Sequence, residues 1–172
     1  ISFTAADNST GSIITSNFIY SASLNGCSSV SKTFKIDLLP QPVLAPITDI
    51  ALFSFDNILT SFNSNVPGAT FSWTNDNTAT GIPINGTGNI NVNASENLTG
   101  SNIVSNIIVT ATSAGCASTT ESFSVIIKPK PILSPQSNIE VCSDEVIPEI
   151  VFSDNSGGVS SITWTATNAS AV

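Results

Sequence analysis

Residues 105–135 read SNIIVTATSAGCASTTESFSVIIKPKPILSP, and residues 16–46 read SNFIYSASLNGCSSVSKTFKIDLLPQPVLAP. The two stretches align at a constant offset of 89 residues without a gap, and 12 of the 31 positions are identical. Gly26-Cys27 falls on Gly115-Cys116, Phe34 on Phe123, and Pro40, Pro42 and Pro46 on Pro129, Pro131 and Pro135. Self-similarity at a fixed offset is the mark of a repeat architecture. A weaker echo lies outside this window: Phe71-Ser72-Trp73-Thr74 matches Ile162-Thr163-Trp164-Thr165 at an offset of 91, two residues having entered the intervening loops. The chain is therefore expected to hold the C-terminal half of one repeat (1–42), a complete repeat (43–131) and the N-terminal half of a third (132–172). The Pro-x-Pro segments mark the boundaries, because proline removes a ladder donor and holds the backbone extended.

Within the repeat the hydrophobic period is two, the period of a strand. Phe123, Val125 and Ile127 alternate with Ser122, Ser124 and Ile126, as Phe34, Ile36 and Leu38 do with Thr33, Lys35 and Asp37. Ile107, Val109 and Ala111 share one face, repeated by Phe18, Tyr20 and Ala22; Phe71 and Trp73, and Ile90 and Val92, form two more such sets. Val66-Pro67-Gly68, Asn85-Gly86-Thr87-Gly88 and Ala114-Gly115 supply turns between them. No segment shows a helical period. About seven short strands per repeat predict an all-β protein of tandem immunoglobulin-like β-sandwich repeats in an elongated array. The expected core is Phe71, Trp73, Ile107, Val109, Phe123 and Val125, with Trp164 taking the place of Trp73 in the third repeat; Tyr20, aligned with Val109, is read as core as well.

Composition narrows the chemistry. The chain has no His, Arg or Met, four Lys, 12 acidic residues and a net charge of −8. Without His, the commonest general base and every Ser–His or Cys–His nucleophile pair is missing. Net negative charge argues against nucleic acid, whose binding rests on neutralising phosphates, and against direct contact with anionic membrane. Charged residues are only 9% of the chain, and Ser, Thr and Asn form the polar surface instead. No apolar run approaches the ~20 residues of a membrane-spanning helix. The chain opens in what reads as the middle of a domain and is expected to be part of a longer extracellular protein.

The run FSWTNDNTATGIPINGTGNI (71–90), the Gly-Cys at 115–116, Phe123-Ser124-Val125-Ile126 and Pro129-Lys130-Pro131 together resemble the PKD-like repeats of Bacteroidota surface proteins. The similarity is greatest to the repeats of flavobacterial gliding-motility adhesins. That resemblance implies an extracellular β-sandwich in a long array, exported by type IX secretion to the cell surface. Repeats of this family carry an early Val-Cys, present here as Val141-Cys142 and replaced by Phe53 in the complete repeat. The resemblance further implies that the early cysteine pairs with the Gly-Cys cysteine of its own repeat, which would leave Cys27, Cys116 and Cys142 without partners in this stretch.

The remaining candidates each have a plain structural reading. Trp73 and Trp164 suit a sugar-stacking platform, but their parity assigns them to the core. Asp76 and Asp154 lie in Asn/Ser-rich clusters that fit turns better than calcium loops, since calcium needs six to eight oxygens and no D-x-D-x-D-G spacing occurs. Asp144, Glu145 and Glu149 form the densest acidic patch and read as solvated charge. The N-x-[ST] sequons at Asn8, Asn85, Asn93, Asn97 and Asn168 are as many as 18 Asn and 47 Ser plus Thr yield by chance, and carry no information. No catalytic site, metal or cofactor is expected. The expected function is a structural stalk of a very long secreted adhesin, supporting surface adhesion and gliding motility, its partners neighbouring repeats and surface polysaccharide. The alternatives are a glycan-binding repeat and an accessory module of a secreted hydrolase.

Overall fold

A computed structural model describes residues 1–155 and 161–167. The chain is all-β, with several sheets in the arrangement of a β-sandwich. Strands β1 (Ile14–Tyr20) and β4 (Lys32–Leu38) pair antiparallel, Phe18 opposite Phe34. The short strands β2 (Ser23–Leu24) and β3 (Cys27–Ser28) close the hairpin between them.

The middle segment carries β5 (Ile50–Leu52), β6 (Asn57–Thr60), β7 (Thr70–Asn75), β8 (Asn85–Thr87), β9 (Ile90–Asn93), β10 (Ile103–Ser113), β11 (Cys116–Ala117) and β12 (Glu121–Ile127). One layer runs β5-β12-β10-β7-β8, with β11 folded back on β10; the other is the antiparallel pair β6–β9. Every pairing is antiparallel except β5 with β12, where Ile50 and Leu52 lie beside Val125 and Ile127. Alternation delivers one face of each strand to the interior. Ile58, Trp73, Ile90, Ile107, Val109, Ala111, Phe123, Val125 and Ile127 are buried together, and Phe71 packs half-buried against them. Leu44, Phe62, Ile82 and Ala94 fill the space between layers and ends. Trp73 lies across the sheet from Val109, and its indole N–H donates to the Gly88 carbonyl at 3.1 Å. Gly86, paired with Trp73, has no side chain because the indole occupies its place: a Cβ there would lie 2.2 Å from the ring.

The hairpin after β10 turns through Ala114-Gly115 at φ +48° and +83°, and the hairpin after β2 through Asn25-Gly26 at +51° and +84°. Two consecutive left-handed residues are what a tight two-residue hairpin needs, which accounts for the Gly before Cys27 and before Cys116.

Two expectations about burial, those for Trp164 and Tyr20, need correction. Trp164 is exposed, and so are Tyr20 and Phe34. Their parity is that of Trp73, Val109 and Phe123, but the surfaces those residues pack on have no counterpart beside them here. Residues 132–155 and 161–167 contain no strand among the described residues, and β1–β4 stands as a two-stranded sheet with both outer edges open. An inward-facing residue is buried only when a second layer covers it.

Candidate functional site

The sequence Asn97-Leu98-Thr99-Gly100-Ser101 builds a buried polar knot. Asn97 is fully buried. Its Nδ2 donates to the Ser101 carbonyl at 2.7 Å and the Ile127 carbonyl at 2.8 Å. Its Oδ1 accepts from the Thr99 backbone N–H at 3.0 Å and the Thr99 hydroxyl at 2.8 Å. Buried amides persist only when all their hydrogen-bonding capacity is used, and here it is. Eighty-nine residues earlier, Asn8-Ser9-Thr10-Gly11-Ser12 makes the same set: Asn8 donates to Ser12 and Leu38 carbonyls, both at 2.8 Å, and accepts from Thr10 N–H and hydroxyl. These asparagines are two of the five sequons dismissed on chance grounds. Their role was visible in the offset, since the self-match extends to Asn8, Thr10, Gly11 and Ser12.

Each knot is where one segment meets the next. The Asn65 side chain accepts from its neighbour Val43 N–H at 2.7 Å and donates across the junction to the Ser9 carbonyl at 2.7 Å. Asn155 repeats this on Ile132 N–H at 2.9 Å and the Leu98 carbonyl at 3.0 Å. The same backbone contacts flank both clips: Asn65 N–H to Val43 carbonyl and Asn155 N–H to Ile132 carbonyl, Gln41 N–H to Asn8 and Lys130 N–H to Asn97. Gly11, at φ +82°, packs so closely on the Asn65 carbonyl that a Cβ would lie 2.5 Å from it. Gln41 adds a bond from Nε2 to the Ala117 carbonyl at 2.8 Å, tying the connector to the β10–β11 hairpin.

The turn after β5 also recurs. Phe53 N–H donates to the Asp56 carboxylate at 2.9 Å, and Cys142 N–H to Glu145 at 2.9 Å; Phe55 and Asp144 both sit at φ +69°. This supports the alignment of Phe53 with Cys142. Phe53 instead lies under the Lys128 ammonium, 5.1 Å from its ring centre. The pairing rule implied by the resemblance does not survive this geometry. Phe53 follows Leu52, which lies beside Ile127 and thus at the Ile103 end of β10, whereas Cys116 pairs with Ser113 at the other end. Ten residues of extended strand separate them by ~34 Å, against the ~4.4–6.8 Å a disulfide requires. Cys27, Cys116 and Cys142 are all free thiols.

The acidic candidates have structural partners. Asp76 accepts from the Asn106 backbone N–H at 2.7 Å and the Asn106 side chain at 2.8 Å, and these two bonds hold its carboxyl below the usual range. The Asp37 carboxyl is likewise lowered, first by the Lys35 ammonium and then by the Thr15 hydroxyl. The Asp154 backbone bridges to Leu133. Among the described residues no three His, Cys, Asp or Glu side chains gather as metal ligands would. Trp73 offers no sugar platform, being buried under Gly86. Asn168 lies outside the described residues. No described helix is long and apolar enough to cross a membrane. No protein-family model, curated protein or solved structure matches the chain.

Proposed function

We propose that this chain is a stalk segment of a very long secreted adhesin on a cell surface, made of tandem immunoglobulin-like, PKD-like repeats, and that it serves adhesion and gliding motility by supplying length and stiffness. One observation carries the reading: the asparagine clip at the junction occurs twice with the same atoms, Asn65 on Ser9 and Asn155 on Leu98. A flexible linker needs no specific contact across it. A connector whose side-chain and backbone bonds recur from one junction to the next favours a fixed relation between successive segments. The Pro-x-Pro connectors act in the same sense, since extended proline segments are semi-rigid spacers. The absence of His and Arg from the sequence agrees with a part that bears load rather than one that transforms a substrate. Neighbouring repeats are its partners, and polysaccharide contact belongs to other parts of such a protein.

Small-angle scattering, extrapolated to zero concentration, tests the reading. A compact chain of this length has a radius of gyration of ~16 Å, whereas three segments end to end reach ~25 Å. A value near the compact figure would count against a stalk. Asn65→Ala should loosen the junction and broaden the distance distribution, and through the lost exposed bond from Val43 N–H should lower the stability of the middle segment by no more than ~0.5–1.5 kcal/mol.

A further inference from the structure

The edge of β6 that faces away from β9 loses its neighbour part-way along. Leu44 bridges to Ser64, and the Ala45 N–H donates to the Asn63 carbonyl at 2.9 Å. Pro46 has no N–H with which to continue that ladder, and the chain crosses to β12, where Ile50 lies beside Val125. In an antiparallel pair, successive residues turn their backbone groups to opposite sides. The Asp56 carbonyl accepts from Ala94 N–H at 2.8 Å, so Ile58 and Thr60 spend their backbone groups on β9. Leu59 and Ser61 turn theirs to the abandoned edge. The departing chain leaves a cleft of about 280 Å³ there, lined in part by Ile47, Ile50, Leu59, Thr60, Ser61 and Asn63.

Thr60 is only 8% exposed, yet its Oγ1 has no hydrogen-bond partner in the protein. Among the described residues no other buried side-chain nitrogen or oxygen is left so. The buried side chains of Asn75, Thr80, Asn97 and Ser105 are all bonded. A buried hydroxyl without a partner is costly, so its persistence points to a bonding group in the cleft. Residues 132–155 show what that group does. The Ser153 carbonyl accepts from Ser134 N–H as Asn63 does from Ala45, and at this offset of 90 Ser61 falls on Val151 and Thr60 on Ile150. There Gln136 Nε2 donates to the Val151 carbonyl at 3.2 Å and caps the free edge. Gln136 corresponds to Ile47 at the offset of 89, and Ile47 has nothing to donate. The polar and apolar partners have changed places: Gln136 with Ile150, Ile47 with Thr60.

We propose that this cleft is a site for ordered water: a water molecule held by Thr60 Oγ1 donates to the Ser61 carbonyl, as the Gln136 amide does to Val151. A water site must be polar and roomy, with two to four partners and about 30 Å³ for each molecule. The cleft has the space, and the Thr60 hydroxyl and Ser61 carbonyl are the first two partners. None of its lining side chains is charged, so an ion finds no counter-charge there. Capping matters because a free strand edge is a template for pairing with another strand. The lining residues all lie within 45–63, in the segment whose two layers are both present, and the proposal does not rest on the stalk reading.

A crystal structure of the 172-residue chain that shows ordered water tests it directly. An oxygen should lie within ~3 Å of both Thr60 Oγ1 and the Ser61 carbonyl oxygen. Thr60→Ser keeps the hydroxyl and should keep that oxygen; Ile47→Gln should displace it and put the new amide on the Ser61 carbonyl. Stability gives an independent reading, from urea unfolding followed by Trp73 fluorescence in a Trp164→Phe background. Thr60→Val keeps the shape of the side chain and removes the hydroxyl. If water satisfies that hydroxyl, the folding constant should fall roughly 2- to 10-fold, whereas removing an orphan would raise it. The proposal is overturned by a wild-type crystal with no oxygen bridging Thr60 and Ser61, or by a Thr60→Val folding constant that is unchanged or raised. Should Thr60→Val fail to fold, the wild-type and Thr60→Ser crystals decide between the two outcomes.

Discussion

Asn97 and Asn93 both begin N-x-[ST] triplets four residues apart, and replacing each with alanine separates a structural asparagine from a surface one. At Asn97 the substitution removes two donors and one acceptor from a fully buried site. Ser101 and Thr99 are solvent-facing and can turn to water, so their loss costs little. The Ile127 carbonyl is different: it sits on a residue with no exposure and loses the Asn97 donor at 2.8 Å. An unsatisfied buried carbonyl costs ~1–3 kcal/mol, and with the amide's lost packing Asn97→Ala should destabilise the middle segment by ~2–3 kcal/mol. Urea unfolding followed by Trp73 fluorescence, in a Trp164→Phe background, reads this as a midpoint ~2 M lower for a slope of ~1.25 kcal/mol/M. Asn93 is exposed and receives one long contact from Asn57 at 3.4 Å. Asn93→Ala should stay within ~0.5 kcal/mol of wild type. Asn97→Asp adds a second readout. Its carboxylate would face two carbonyls, so its folded pKa would be raised and its defect should shrink as pH falls, when the neutral acid can donate one bond. A midpoint for Asn97→Ala indistinguishable from that of Asn93→Ala would refute the reasoning.

Trp73→Ala should cost ~3–5 kcal/mol in the same urea assay, as aromatic truncations in cores do. Ala114→Asn should raise the stability of the middle segment by ~0.5–1 kcal/mol, because Ala114 holds a left-handed conformation that asparagine tolerates and that Asn25 already occupies at the equivalent turn. The Asp76 carboxyl is held below its ordinary 3.8 by Asn106, so its stabilisation is complete above that value and is lost as pH falls through the lowered folded value. Acid unfolding of Asp76→Asn should therefore show a shallower decline below pH 4 than wild type, and an unchanged acid limb would dismiss the contribution. Peptide mapping under non-reducing conditions should find Cys27, Cys116 and Cys142 without a cross-link inside one chain, and a Cys116–Cys142 peptide would contradict the strand geometry.

Much of the fold was legible because strand parity is a local property. Ile107 and Val109 alternate with Asn106, Ile108 and Thr110, and Phe123 and Val125 with Ser122, Ser124 and Ile126, and all four are buried as their period requires. Parity says which side of a strand a residue faces. It does not say whether anything lies there, and for that reason Trp164, Tyr20 and Phe34 share the pattern of buried residues while standing in solvent. Burial depends on a second layer contributed by residues distant in sequence. The pairing implied by the resemblance fails on the same kind of long-range fact: Phe53, at the place of the early cysteine, lies by the Ile103 end of the 11-residue β10, and Cys116 by the Ser113 end.

The junction was harder to read because its chemistry is carried by residue types common throughout this chain. With so many Asn, Ser and Thr, no single asparagine is distinctive, and counting sequons erases the difference between Asn97 and Asn93. Position within the internal self-match restores it. Asn8 and Asn97 keep register with Thr, Gly and Ser at offset 89, and Asn65 and Asn155 keep it at offset 90. In a sequence with few charges, specificity at the junction has to come from amides and backbone groups, whose hydrogen bonds are directional but individually modest. Two such bonds on one asparagine side chain fix both distance and orientation, and a glycine at φ +82° lets the two backbones approach closely enough to make them. The clip works through geometry, not charge, and so should hold at ionic strengths that would screen a salt bridge.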